Sequence, residues 1–205
     1  MEDKIREPEE IDRLDLEKYG LSHLKDRNIL ALGNSEINEL LDALGYNDIS
    51  LNIPMTFSPY NVDGMLSYSD CRRCGRCCLP NELNPGNPGV EVLEDELKNI
   101  AIHLQVSYES LMEKTLEGKS IHNQDQPDNV TATRFLPLPC PFYNEELNQC
   151  QVYEARPIVC SVYPIVFGEH NNYIAVKVDC DYGRDIAVRS LLYLKTNNPG
   201  MGIKL

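Results

Sequence analysis

At 205 residues, 42% of them hydrophobic, the chain can bury a core of its own and has no need of the disulfide staples that hold together secreted domains below about 80 residues. Its net charge of −13, from 19 Lys and Arg against 32 Asp and Glu, speaks against a surface built to grip nucleic-acid phosphates, which requires clustered cations. The longest mostly apolar run, Ile158 to Phe167, falls well short of the roughly 20 residues that span a bilayer, so no membrane association is expected.

The first twenty residues are charged and acidic, with no apolar core behind a basic start. No secretory signal is expected, and the cytoplasm is the expected compartment. There, clustered cysteines serve more often as metal ligands or redox thiols than as structural bridges.

In chain order, residues 1–33 are weakly periodic and predict one or two short helices. A helix is expected from Ser35 to Leu44, with Asn34 or Ser35 as its cap, Ile37, Leu40, Leu41 and Leu44 as its buried stripe, and Gly45 after its end. Residues 51–69, broken by Pro54, Pro59 and Gly64, read as irregular. A cysteine-rich loop follows, and Pro80, Pro85, Gly86, Pro88 and Gly89 mark a second loop. The spacing of Leu93, Leu97, Ile100, Ala101 and Leu104 predicts a helix over 93–104. Ser107 suits the N-cap of a short helix carrying Leu111, Met112 and Leu116 and closed by Gly118. Residues 119–129 read as polar loop and Val130 to Leu136 as a strand. Val162–Phe167 and Tyr173–Val178 flank a Gly-Glu-His-Asn-Asn turn, as in a hairpin, with Pro164 placing the first strand at a sheet edge or shortening it. A last helix is expected over 185–195. The class is α+β: a small, irregular, metal-nucleated domain with a few helices and a β-hairpin in its C-terminal half. The expected division is an N-terminal helical or irregular segment, 1–66, and a cysteine-cluster metal-binding domain, 67–205.

Eight cysteines in such a chain call for a metal. Four lie in Cys71-Arg-Arg-Cys74-Gly-Arg-Cys77-Cys78, whose C-x2-C-x2-C spacing lets one tight loop aim three sulfurs at a point, with Gly75 supplying the backbone freedom. The others are Cys140, Cys150, Cys160 and Cys180. Cys140, Cys150 and Cys160 each precede a tyrosine by three positions (Tyr143, Tyr153, Tyr163), so either three rings shield a metal from water or three ordinary core residues share an accidental period. Arg72, Arg73 and Arg76 form the one dense basic cluster, and would offset the charge of thiolates or a reduced cluster. Being adjacent, Cys77 and Cys78 are expected to point apart, so that one is a spare or the two feed different sites; a redox switch, cycling to disulfides with another cysteine, is a further reading. His23, His103, His122 and His170 are scattered and expected in solvent, His170 being the nearest to the cysteines through its hairpin turn. Glu94, Asp95 and Glu96, and likewise Glu145 and Glu146, read as capping or solvated charge.

These elements together, Cys71-x2-Cys74-Gly75-x-Cys77-Cys78, Cys140-Pro-Phe, Cys150-Gln-Val-Tyr153-Glu-Ala-Arg156-Pro157-x-x-Cys160, Tyr163-Pro164 and Cys180, resemble the YkgJ-type cysteine-cluster family, a zinc- or iron-chelating domain, over about residues 68–185. The resemblance implies metal binding by all eight cysteines, with iron–sulfur favoured in some relatives, and extends to flagellin lysine N-methylases. Two positions depart from the family pattern: Ser161 stands where Arg is usual, and Asp181 where Pro often follows the last cysteine.

The leading expectation is thus an iron–sulfur protein holding one or two [4Fe-4S] clusters, for electron transfer or a structural role beside a protein redox or enzyme partner. A Zn2+-binding structural protein is the second expectation, since tetrathiolate zinc sites also use C-x2-C loops. A component of a cluster-dependent, lysine methylase-like enzyme is the third. No glycine-rich nucleotide loop follows a strand, and no catalytic residue is assigned.

Overall fold

The computed structural model describes residues 16–45, 50–80, 88–122, 130–167, 172–198 and 200. Residues 1–15, the loop stretch 81–87 with Pro85 and Gly86, the turn bearing His170 and the far C-terminal tail are among those outside the described residues. Among those described are six α-helices: α1 (Asn34–Leu44), α2 (Pro59–Leu66), α3 (Glu94–Leu104), α4 (Tyr108–Met112), α5 (Ile158–Val162) and α6 (Asp181–Asn197). Eight strands accompany them: β1 (Ser50–Ile53), β2 (Val90–Leu93), β3 (Leu116–His122), β4 (Val130–Leu136), β5 (Tyr143–Asn144), β6 (Gln149–Cys150), β7 (Ile165–Phe167) and β8 (Ile174–Lys177). The strands form three small antiparallel sheets, ordered β1-β8-β7, β2-β4-β3 and β5-β6. This is a small mixed α+β fold. None of the described helices is long and apolar enough to cross a membrane.

Two hydrophobic cores follow from the apolar patterning. In the first, the stripe Ile37, Leu40, Leu41 and Leu44 of α1 is almost wholly buried, each side chain contributing about 1.5–3 kcal/mol of transfer free energy. It packs with Leu51 and Ile53 of β1, Ile174 and Val176 of β8, and Ile186, Leu191 and Leu194 of α6. Register puts Leu51 opposite Val176 and Ile53 opposite Ile174, so all four side chains fall on one face. This core runs across the 66/67 boundary. The second core joins Leu97, Ile100 and Ala101 of α3 to Leu111, Val92, Leu136, Phe142 and Val152, with Cys140 and Cys150 packed against it.

Local signals explain most boundaries. The Glu36 side chain accepts the Gly33 amide at 2.8 Å, which makes Gly33 rather than Asn34 or Ser35 the N-cap of α1. The Ser107 hydroxyl accepts the Ser110 amide and starts α4, as its sequence predicts. β7 sits at the sheet edge immediately after Pro164, again as expected. Residues 51–69 are more regular than their prolines indicate. Pro59 occupies the first turn of α2 behind a Ser58 cap, a place where its missing N–H costs nothing, and β1 finds its partner more than 120 residues away. The segment read as the end of a helix at Leu116–Gly118 is instead the start of β3, which bulges between Glu117 and Ser120.

Candidate metal centre

The Cys71–Cys78 loop turns back on itself through two left-handed residues, Arg73 at φ 57° and Gly75 at φ 78°. The first turn lets the Arg73 amide donate to the Cys71 sulfur at 3.4 Å. Gly75 is needed twice over, because a Cβ there would lie 2.1 Å from the Tyr143 ring that covers it. A 3-10 turn over Arg76–Cys78 follows, closed by the Cys78 amide on the Gly75 carbonyl at 2.8 Å. Its three residues per turn set neighbouring side chains about 120° apart rather than on opposite faces. The Cys77 and Cys78 sulfurs therefore stand 3.7 Å from each other, and the expected divergence of this pair does not occur.

Separate elements deliver the remaining cysteines to the same place. The Cys140 amide donates to the Cys78 carbonyl at 2.7 Å, fastening the second half of the chain onto the loop. Cys150 lies opposite Tyr143 in the β5–β6 hairpin. Cys160 rides on α5, whose first free amide, that of Ile158, is capped at 2.7 Å by Glu96; the same carboxylate takes the Leu93 amide at 2.9 Å. Cys180 is the N-cap of α6 and its sulfur accepts the Gly183 amide at 3.4 Å. All eight cysteines line one pocket. Tyr143, Tyr153, Tyr163 and Tyr182, with Leu136, Phe142 and Val152, make up most of the rest of its wall. The ten-residue echo thus places its three tyrosines beside its three cysteines, and they enclose the pocket. Leu136 and Tyr182 carry no motif that would have marked them in advance, and Glu96, read as capping or solvated charge, gives no sign in sequence that it also caps α5.

The thiols are not equivalent. A hydrogen bond from Cys78, with help from the Phe142 and Tyr143 amides against the cost of burial, draws Cys140 down to about 7. A hydrogen bond with Cys78 also lowers Cys77, and Cys78 is itself pushed far up by its bonds to Cys140 and Cys77 and by burial. Burial pushes Cys160 and Cys180 up to about 12, and raises Cys150 as well. Without metal, Cys78, Cys150, Cys160 and Cys180 therefore keep their protons, and a bound metal would displace them. Burial, reinforced by Asp179, drives the Tyr163 phenol upward, and its hydroxyl donates to the buried Asp179 carboxylate at 2.6 Å.

The arginines of the loop divide their work. Arg72 pairs with Asp181 and Asp185, each at 2.9 Å, binding the loop to the first turn of α6. Asp181, one of the departures from the family pattern, thereby becomes Arg72's partner. Arg73 lies over the Tyr153 ring, 4.2 Å from its centroid. Arg156, a residue outside the basic cluster, adds a smaller field that partly offsets the burial raising Cys150 and Cys160 and assists the lowering of Cys77.

His103 is exposed, and His23, half-exposed, faces Glu39 at 3.4 Å. Neither lines the pocket. The His122 side chain and His170 lie outside the described residues. The donor chemistry fits a thiophilic metal: eight sulfurs, backbone amides aimed at several of them, and a largely aromatic and aliphatic wall. Among the described residues no three His, Cys, Asp or Glu side chains are drawn in to the spacing of one ion's shell, so the sulfurs ring the pocket rather than meet at a point.

No solved structure matches this chain. The model of one protein family matches residues 70–181, a span that opens one residue before Cys71, ends one residue after Cys180 and takes in all eight cysteines. With more than half its length matched, the chain belongs to the CxxCxxCC family, whose description is "Putative zinc- or iron-chelating domain".

Proposed function

We propose that the pocket holds an iron–sulfur centre, one or two [4Fe-4S] clusters ligated by Cys71, Cys74, Cys77, Cys78, Cys140, Cys150, Cys160 and Cys180. The protein serves electron transfer, or a structural role beside a protein redox or enzyme partner, in the cytoplasm. The observation that carries this reading is the convergence of eight thiols from five separate stretches of chain on a single, largely apolar pocket. Eight sulfurs supply two four-cysteine sites, and four suffice for one tetrahedral ion. Such a centre supplies one-electron chemistry when bound. The chain's own groups do the rest. Backbone amides donate to the Cys71 and Cys180 sulfurs, four tyrosines cover part of the pocket, and Cys78 gives up its proton on loading.

Zinc is the second reading, and one distance favours it. Bonds of about 2.3 Å to a tetrahedral zinc put thiolate sulfurs roughly 3.8 Å apart, and Cys77 and Cys78 stand at 3.7 Å. Anaerobic isolation followed by iron, acid-labile sulfide and zinc analysis separates the two. Broad visible absorbance with equal iron and sulfide supports the cluster; a colourless protein carrying zinc alone replaces it with the structural ion.

A further inference from the structure

Arg156 stands on the pocket wall with the cysteines. Its side chain is held at two points: the guanidinium carbon is 3.8 Å from the centroid of the Tyr153 ring, and Nε donates to the Tyr153 carbonyl at 3.0 Å. Arg73, from the cysteine loop, lies over the same ring. Arg72 already has two carboxylate partners, whereas among the described residues neither Arg73 nor Arg156 has one. Arg73 is exposed and Arg156 only partly so; solvent screens the first charge much more than the second. A planar, permanently charged guanidinium is the group suited to stacking on a ring while facing thiolates.

We propose that Arg156 is the charge-compensating residue of the metal centre, with Tyr153 as its positioning residue, and that it favours the more reduced state of that centre. This rests on the iron–sulfur reading above. One electron arrives from a one-electron donor, dithionite in the assay, no bond forms or breaks, and the centre gains one negative charge. Arg156 stabilises that added charge, so its removal lowers the midpoint potential.

The test is a mediated redox titration of the full chain, loaded anaerobically, as wild type and as Arg156→Gln, Arg156→Lys, Arg73→Gln and Tyr153→Leu. Arg156→Gln is expected to lower the potential by at least a tenfold change in the reduction equilibrium, 59 mV for one electron. Arg156→Lys is expected to restore at least half of that shift, and Arg73→Gln to move the potential by less than a third of it. A Gln variant within error of wild type, or a Lys variant shifted as far as Gln, overturns the proposal. Should Arg156→Gln fail to load, Arg156→Lys and Tyr153→Leu decide. Arg156→Lys must then load and stay within a threefold change of wild type, and Tyr153→Leu, which keeps the charge but loosens its seat, must lower the potential; any other pair of results overturns it. Wild-type protein without iron and sulfide defeats the parent reading, and this one with it, before any variant is compared.

Discussion

Replacing Gly75 with alanine tests how the cysteine loop is built. The residue sits at φ 78°, and a left-handed conformation costs an ordinary residue about 1–2 kcal/mol. The new Cβ would meet the Tyr143 ring at 2.1 Å. The atoms it meets are the far end of a side chain, so the ring swings aside rather than the backbone. That motion gives up the 3.0 Å hydrogen bond from the Tyr143 hydroxyl to Asn148, about 0.5–1.5 kcal/mol. The sum is roughly 2–3 kcal/mol, a large part of the 5–15 kcal/mol typical of a domain. Urea unfolding of the metal-free chain, followed by circular dichroism, should show that loss. In the loaded protein the displaced ring should open the pocket and speed metal release to a chelator. Gly75→Ala in a Tyr143→Leu background should cost only the backbone strain, so the two substitutions should be non-additive by about 1 kcal/mol. A Gly75→Ala protein within 0.5 kcal/mol of wild type, or strict additivity with Tyr143→Leu, would refute this account of the loop.

Tyr163→Phe should cost about 1–3 kcal/mol, because it strands the buried Asp179 carboxylate, and the matching melt should recover most of the loss in Tyr163→Phe with Asp179→Asn. Gly183→Ala places a Cβ 1.9 Å from the Lys177 carbonyl, backbone against backbone; a cost of at least about 3 kcal/mol is expected, read as a depressed melting point or loss of soluble protein. In the metal-free chain at pH 7, iodoacetamide mapped by mass spectrometry should label Cys140 ahead of Cys160 and Cys180. Linkage gives the signs for stability. Cys140, lowered to about 7, adds stability that is complete above the ordinary thiol range and disappears as pH falls through 7. Cys160 and Cys180, raised to about 12, add stability that is complete below the ordinary thiol range and disappears as pH climbs toward 12.

Much of the fold is legible where a segment decides its own conformation. The periods of α1 and α3, the Ser107 cap and the apolar run of β4 are local facts, and the structure places all of them within a residue or two of expectation. What stays hidden depends on distant partners. β1 has four residues and is a strand only because β8 lies beside it, and β2 forms along β4 in the same way. Pro59 looks like a breaker until Ser58 is seen to cap a helix in front of it. The cysteines declare the pocket, and their tyrosine echo points to its wall. The electrostatics are less visible: the dense run Arg72, Arg73, Arg76 draws attention, yet carboxylates on α6 occupy Arg72, and Arg156, outside that run, lines the pocket together with Arg72 and Arg73.

The central claim is that all eight sulfurs ligate the metal held in one pocket, and counting blocked thiols tests it most directly. The native protein and the same sample stripped by chelator under reducing conditions are alkylated in parallel and mapped peptide by peptide. The account predicts eight protected cysteines in the first and eight labelled in the second. Free labelling of Cys140, Cys150, Cys160 and Cys180 while the metal is still bound would contradict it.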